Sequence, residues 1–403
     1  MSLNARVTAV AVLTLFTITA YVLLRLLFSP QTVLTPAQPT AISQNTTDPT
    51  SAASVSGSRI DSEPGGGIDV SGDPFIDEPS TDPQLEDLPP TPQTAPPVVL
   101  LQGLPIEGVP TASVDQGSQP LEYTLQDGYK VFNLTAQPVA WEILDGVQVT
   151  AWAYNGMIPG PLIRVTEGDN VRVNLTNALP EPTTIHWQAR DIPLDQQGIP
   201  EMTQSPIEPG DTFTYEFTAS AAGSYSYYSF TNRTVQVALG LFGAFIVDPA
   251  EPDEPAPAVD IPIMLSEWRV TGSLTFPAAS VGGAEPNYYT INGKSYPDTA
   301  PINVQVGDRV RLRIYGMSAF SHPLHLQGAS FTVVGIDGIA LAENRRYITD
   351  TVVIHQGGQI DIEFTPTQTG IMLLKCNIGL HTINNFGLEE GGLVLQMNVS
   401  ERE

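Results

Sequence analysis

Between about residues 120 and 399 the chain is written in short alternating apolar and polar runs, VQVTAWAY, NVRVNL, TFTYEFT, RVRLRIYG and QIDIEF, separated by Gly, Pro and Asp turns. A period of two puts successive side chains on opposite faces of an extended strand, so each run offers one face to a core and one to water. No segment of this region carries the 3.6-residue apolar repeat of a helix of any length. The pattern predicts an all-β sandwich architecture. The Pro- and acid-rich stretch Asp248 to Pro262, DPAEPDEPAPAVDIP, divides it into two halves, 120–250 and 258–403. Each half closes on an aliphatic strand, AFIVDP and GLVLQMNV, which reads as a divergent internal repeat.

The first 119 residues follow other rules. Val7 to Phe28, VTAVAVLTLFTITAYVLLRLLF, is a nearly unbroken apolar run of the length needed to cross a bilayer, and Arg6 before it favours a cytoplasmic N-terminus. A cleaved signal peptide is the competing reading, but the run is long for one and no clean Ala-x-Ala site follows. Residues 1–28 are therefore expected to be a transmembrane signal-anchor that leaves the C-terminal domains on the extracytoplasmic side. Residues 29–119 are rich in Pro, Ser, Thr, Gly and Asp and poor in core-forming side chains, as a disordered linker is. As a flexible chain it would span roughly 50 Å. Its one apolar patch, Val98 to Val109, is the part suited to dock on the folded region.

The formal net charge of -26 excludes nucleic acid and anionic lipid as electrostatic partners and suits a redox protein with a basic surface. A single cysteine excludes an intrachain disulfide, so the domains must be held by their cores.

That cysteine, Cys376, lies in LLKCNIGLHTINNFGL with His381 five residues on. A lone cysteine is more often a small buried hydrophobe than a ligand. A thiolate and an imidazole at a strand end and in the loop after it are, however, two of the three strong ligands of a blue-copper site, and His322 in SHPLHLQGASFTVV is available as the third.

HPLHLQG and KCNIGLH resemble the two C-terminal copper motifs of the multicopper oxidases, the laccase-like family built from cupredoxin domains. Trp152 to Gln188, Gly223 to Val247 and Ile291 to Gly316 resemble the segments that carry or lead into the other copper motifs. The resemblance implies two tandem cupredoxin-like Greek-key β-sandwich domains and places His322, Cys376 and His381 on the family's mononuclear type 1 copper positions. The ending HTINNFGL makes Phe386 and Leu388 the axial candidates, and neither donates an electron pair, which favours a near-trigonal copper of high potential. Lys375 beside the cysteine would favour thiolate over thiol.

The family's trinuclear oxygen-reducing cluster takes eight imidazoles from four His-x-His pairs. In this chain His186 is followed by Gln188, Tyr228 and Phe230 stand in the second pair, His325 is followed by Gln327, and Lys375 and Asn377 flank the cysteine. Amide, phenol, phenyl and ammonium groups do not replace imidazole around copper ions. The expectation is one type 1 copper used for one-electron transfer, with no dioxygen reduction. The alternative is a copper-free cupredoxin scaffold for protein-protein interaction. Family members of this size with the mononuclear copper in the second domain form trimers, so a homotrimer is implied, with the substituted positions lining an old intersubunit cavity. His355, before a Gly-Gly turn, is expected to be exposed, and Tyr225, Tyr227 and Tyr228 to be strand packing.

Overall fold

A computed structural model of the chain describes residues 103–252, 255–279 and 285–402. The apolar run Val7 to Phe28 and the linker up to residue 102 lie outside the described residues. Among those described, no helix is long and apolar enough to cross a membrane.

The described chain is built almost wholly of strands, as the period of two requires, with one short α-helix, Arg233–Gln236, and three 3₁₀ turns among the described residues. Two sandwiches result, each of two sheets. In the first, the strand Tyr129–Leu144 pairs parallel with Asn170–Asn177, which pairs antiparallel with Thr212–Thr218, and in the facing sheet Gly160–Thr166 runs parallel to the closing strand Phe242–Asp248. The second repeats this wiring. Val259–Thr271 runs parallel to Val310–Gly316, which pairs antiparallel with Gln359–Phe364, and Ile302–Gln305 runs parallel to the closing strand Val394–Ser400. The repeat seen in the sequence is thus a repeat of topology.

Each sandwich has its own apolar core, around Phe132, Trp187 and Phe245 in the first and Leu312, Leu324 and Leu374 in the second. A third cluster joins them, with Val139, Trp141, Tyr228 and Ile246 of the first domain packed among Met264, Trp268, Tyr315 and Met317 of the second. Trp141 donates its indole N–H to Gly293 O at 2.7 Å, so even the polar edge of this shared core is satisfied. Losing one buried indole of this kind costs about 3–5 kcal/mol, enough to loosen the two halves from each other.

Beside the shared core lies a charge cluster. Arg313, 6% exposed, holds Asp260 through two N–H groups at 2.6 and 2.8 Å and donates to Ser224 Oγ of the first domain at 2.7 Å. Arg164 of the first domain reaches Asp248 and Asp260. Burial alone would raise Asp260, but the hydrogen bonds and charges of Arg313 and Arg164 outweigh it and hold the carboxyl at about 2. Asp361, bonded to Ser224 Oγ, is more deeply buried, and there burial wins and raises its pKa despite Arg313.

The boundary expected at residue 120 needs correction. Leu104–Pro105 adds to the edge of the second domain's large sheet opposite Leu274 and Thr275, and Pro110, Ala112, Ser118 and Leu121 bond backbone to backbone with the first domain. Residues 103–119 are therefore a strap across both domains, because their few apolar groups and free amides complete sheet edges that would otherwise be open.

Candidate metal centre

His322 opens the strand His322–Gln327 and Cys376 closes the strand Gly370–Cys376. The two pair antiparallel, Leu324 opposite Cys376 and His325 opposite Lys375. Alternation puts His322, Leu324 and Leu326 on the buried face with Cys376, and His325 and Lys375 on the other. Two histidines three residues apart on a strand cannot serve one site, and only His322 faces the thiol. His381 follows in the 3₁₀ turn Gly379–Thr382, which folds back under the sheet. Leu393 fixes both ligands through its backbone: it donates to His381 O at 2.9 Å and accepts from Cys376 N at 3.1 Å.

The three donor atoms converge. His322 Nδ1 and His381 Nδ1 are 3.0 Å apart, and Cys376 Sγ lies 4.0 and 3.6 Å from them. All three residues are buried. The point equidistant from the corners of that triangle is about 2.1 Å from each, close to the ~2.0–2.3 Å at which imidazole nitrogen and thiolate sulfur sit around a d-block ion. Two ring nitrogens at 3.0 Å must share either a proton or a metal ion. One sulfur and two nitrogens in a nearly closed apolar pocket are the donor set of a type 1 copper.

The surroundings tune the group. Burial pushes the Cys376 thiol up to about 11, against a smaller opposing pull from the Ile378 N–H. Burial, and then the neighbouring His322, lower His381 to about 4, so it is a neutral imidazole with a free lone pair at neutral pH. Tyr289 stacks on His381, centroids 4.3 Å apart, and Phe320 meets it edge-on at 5.9 Å. Behind His322, Nε2 lies 2.7 Å from Ser318 Oγ and 3.5 Å from Glu267 Oε1. A cavity of about 530 Å³ between the domains reaches these last two residues.

Three expectations are corrected. Lys375 lies on the opposite strand face from Cys376 and pairs with Glu390 at 3.4 Å, so it lends the thiol no charge. Phe386 and Leu388 are 58% and 102% exposed and cover nothing. After His381 the chain makes a longer excursion than the motif suggests: Ile383 bridges Glu390, Gly391 returns to Thr382, and Asn384 ties the base to Ser295, Tyr296 and Gly392. The residue that re-enters is Leu393, wholly buried in the apolar cluster that contains Cys376. The signal was a second Gly-Leu pair at 392–393, five residues beyond the one at 387–388. Glu267, Ser318 and Tyr289 carried no local signal.

The positions of the family's trinuclear histidine pairs, expected to hold no copper here, are filled by other contacts. In the first domain the His186 ring packs against Tyr228 and Phe230 at 5.3 and 4.9 Å, with the Arg233 guanidinium over Tyr228 at 4.7 Å. Its Nδ1 bonds Gln197 O at 2.8 Å, and Gln188 donates to Gly357 O of the second domain. In the second domain His325 Nδ1 bonds Thr351 Oγ1 at 3.1 Å. His355 is exposed, while Tyr225, Tyr227 and Tyr228 are buried packing.

Comparison with known proteins gives the family. Two multicopper oxidase family models match residues 135–252 and 272–400. The blue copper oxidase of Nitrosomonas europaea is 33% identical, with a TM-score of 0.62 over 67% of this chain and 85% of that one. The multicopper oxidase mgLAC is 31% identical, with a TM-score of 0.63 over 67% and 86%. Laccase-7 of Oryza sativa subsp. japonica is 32% identical over 52% of this chain and 39% of its own length, so the chain spans well under half of that relative. The chain belongs to the multicopper oxidase family, with its cupredoxin-like fold and its use of copper.

Proposed function

We propose that this multicopper oxidase family member holds a single type 1 copper between His322, Cys376 and His381 and passes single electrons, without a trinuclear oxygen-reducing centre. The observation that carries the reading is the triangle of Sγ and two Nδ1 atoms, whose sides suit one ion and no more. Copper bound there would supply a one-electron couple. His322 and His381 would give it neutral nitrogen donors, Cys376 would lose its proton to give a thiolate, and buried Leu393, bonded through its backbone to both Cys376 and His381, would add apolar cover near the group. Burial of all three ligands would exclude water and bulk anions from the ion.

The substituted positions leave too few imidazoles for oxygen chemistry at three coppers. His186 packs against the paired rings of Tyr228 and Phe230, and His325 is engaged by Thr351 beside Lys375. We place the domains outside the cytoplasm on the Val7 to Phe28 anchor, facing a partner whose basic surface complements the -26 charge. Copper titration of the purified protein tests the reading: one equivalent with an intense visible thiolate band, lost in Cys376→Ser with the fold retained, is the expected result. Three or four coppers per chain, or catalytic oxygen uptake that depends on Cys376, would overturn it.

A further inference from the structure

We propose that Glu267 is a positioning residue that fixes the tautomer of His322, so that Nδ1 faces the metal with its lone pair. The inference rests on the copper reading for its consequence, but not for its geometry. Ser318 Oγ has one proton to give. It lies 3.0 Å from Phe320 O, which can only accept, and 2.7 Å from His322 Nε2. Donation to Phe320 O turns an oxygen lone pair toward the ring, and Nε2 must then carry the hydrogen. The opposite arrangement would set an unprotonated Nε2 3.5 Å from a carboxylate oxygen, lone pair toward anion. Glu267 therefore decides between the two.

Glu267 is itself held for this task. It is 4% exposed, Oε2 accepts from Ala319 N at 2.8 Å and Oε1 from Phe320 N at 3.2 Å, so the segment carrying Ser318 is pinned to the same carboxylate. On the neighbouring strand its direct partner is Tyr289, the residue stacked on His381. One cross-strand pair braces both imidazoles. A carboxylate one ring away from the ion stabilises the more positive, oxidised state and makes the imidazole a better donor.

Glu267→Gln keeps size and removes the charge, and its amide cannot accept from the backbone N–H groups and the ring at once. In the full chain we expect copper affinity to fall about 10–100-fold, the reduction potential to shift upward, and Ser318→Ala to do the same more weakly. In the metal-free protein, nitrogen-15 histidine spectra should show His322 protonated at Nε2 in the wild type and as mixed tautomers in Glu267→Gln. A wild-type His322 protonated at Nδ1, or a Glu267→Gln protein with unchanged affinity, potential and tautomer, would overturn the proposal. If Glu267→Gln does not fold, the wild-type tautomer and Ser318→Ala still decide. If the wild type takes no copper, the proposed function fails and the metal-free spectra judge this inference alone.

Discussion

His186 in the first domain and His322 in the second stand on matching elements of a repeated fold, yet one is packed against a pair of rings and the other points at a thiol. Around His186 the neighbours are Tyr228, Phe230 and Arg233, which fill the space with two aromatic rings and a guanidinium and offer no imidazole or thiolate to an ion. Around His322 they are Cys376 and His381, whose donor atoms converge within 4.0 Å of it. The same scaffold therefore tolerates either content. A sandwich gains its stability from inward strand faces, and a site at the strand ends is free to be a ligand set or a plug.

The largest effect that separates the two is loss of metal. Cys376→Ser should abolish the blue band and most copper binding, whereas His186→Ala should leave stoichiometry and spectrum unchanged; a His186→Ala protein that lost copper would erase the contrast. Next comes the joint that holds the halves together. Asp260→Asn strips Arg313 of its closest carboxylate, a change expected to cost about 3 kcal/mol in denaturant unfolding. Its pH dependence follows from the depressed pKa. The stabilisation is complete above the unfolded value of about 4 and is lost as pH falls toward about 2. Asp361, raised by burial, opposes this trend, so acid unfolding in wild type should be shallower than Asp260 alone would give. A mutant as stable as wild type at neutral pH would show that the cluster is not what joins the domains. The smallest effect is electronic: Leu393→Met should lower the potential by offering a sulfur to the ion, while Phe386→Met and Leu388→Met, both in solvent, should leave it in place. A shift produced by either exposed residue would mean that the excursion folds over the site in solution.

His322, Cys376 and His381 were picked out in the chain by thiol and imidazole chemistry and by their resemblance to the family's copper motifs; that His322 faces the thiol while His325 faces away follows from the alternation and register of the paired strands. The halves were legible from local alternation and the Pro-rich break. The axial side was not, since the loop after His381 has no periodicity and its length is set by the hydrogen bonds of Asn384 and the bridge between Ile383 and Glu390. Nor was the strap at 103–119, whose composition matches a linker and whose order comes from open sheet edges supplied by residues far along the chain.

The chain alone carried its all-β character and its division into two halves, through local alternation and a Pro-rich break, and it carried the His322, Cys376 and His381 group through residue chemistry and resemblance to the family's copper motifs. What only the tertiary structure decided was which groups stand behind those donors. Glu267 and Tyr289 reach the imidazoles from strands 55 and 92 residues before His322 and His381, respectively, and Leu393 reaches the site after a loop of arbitrary length. Contacts of that kind depend on how sheets face one another, and no periodicity in the chain encodes that.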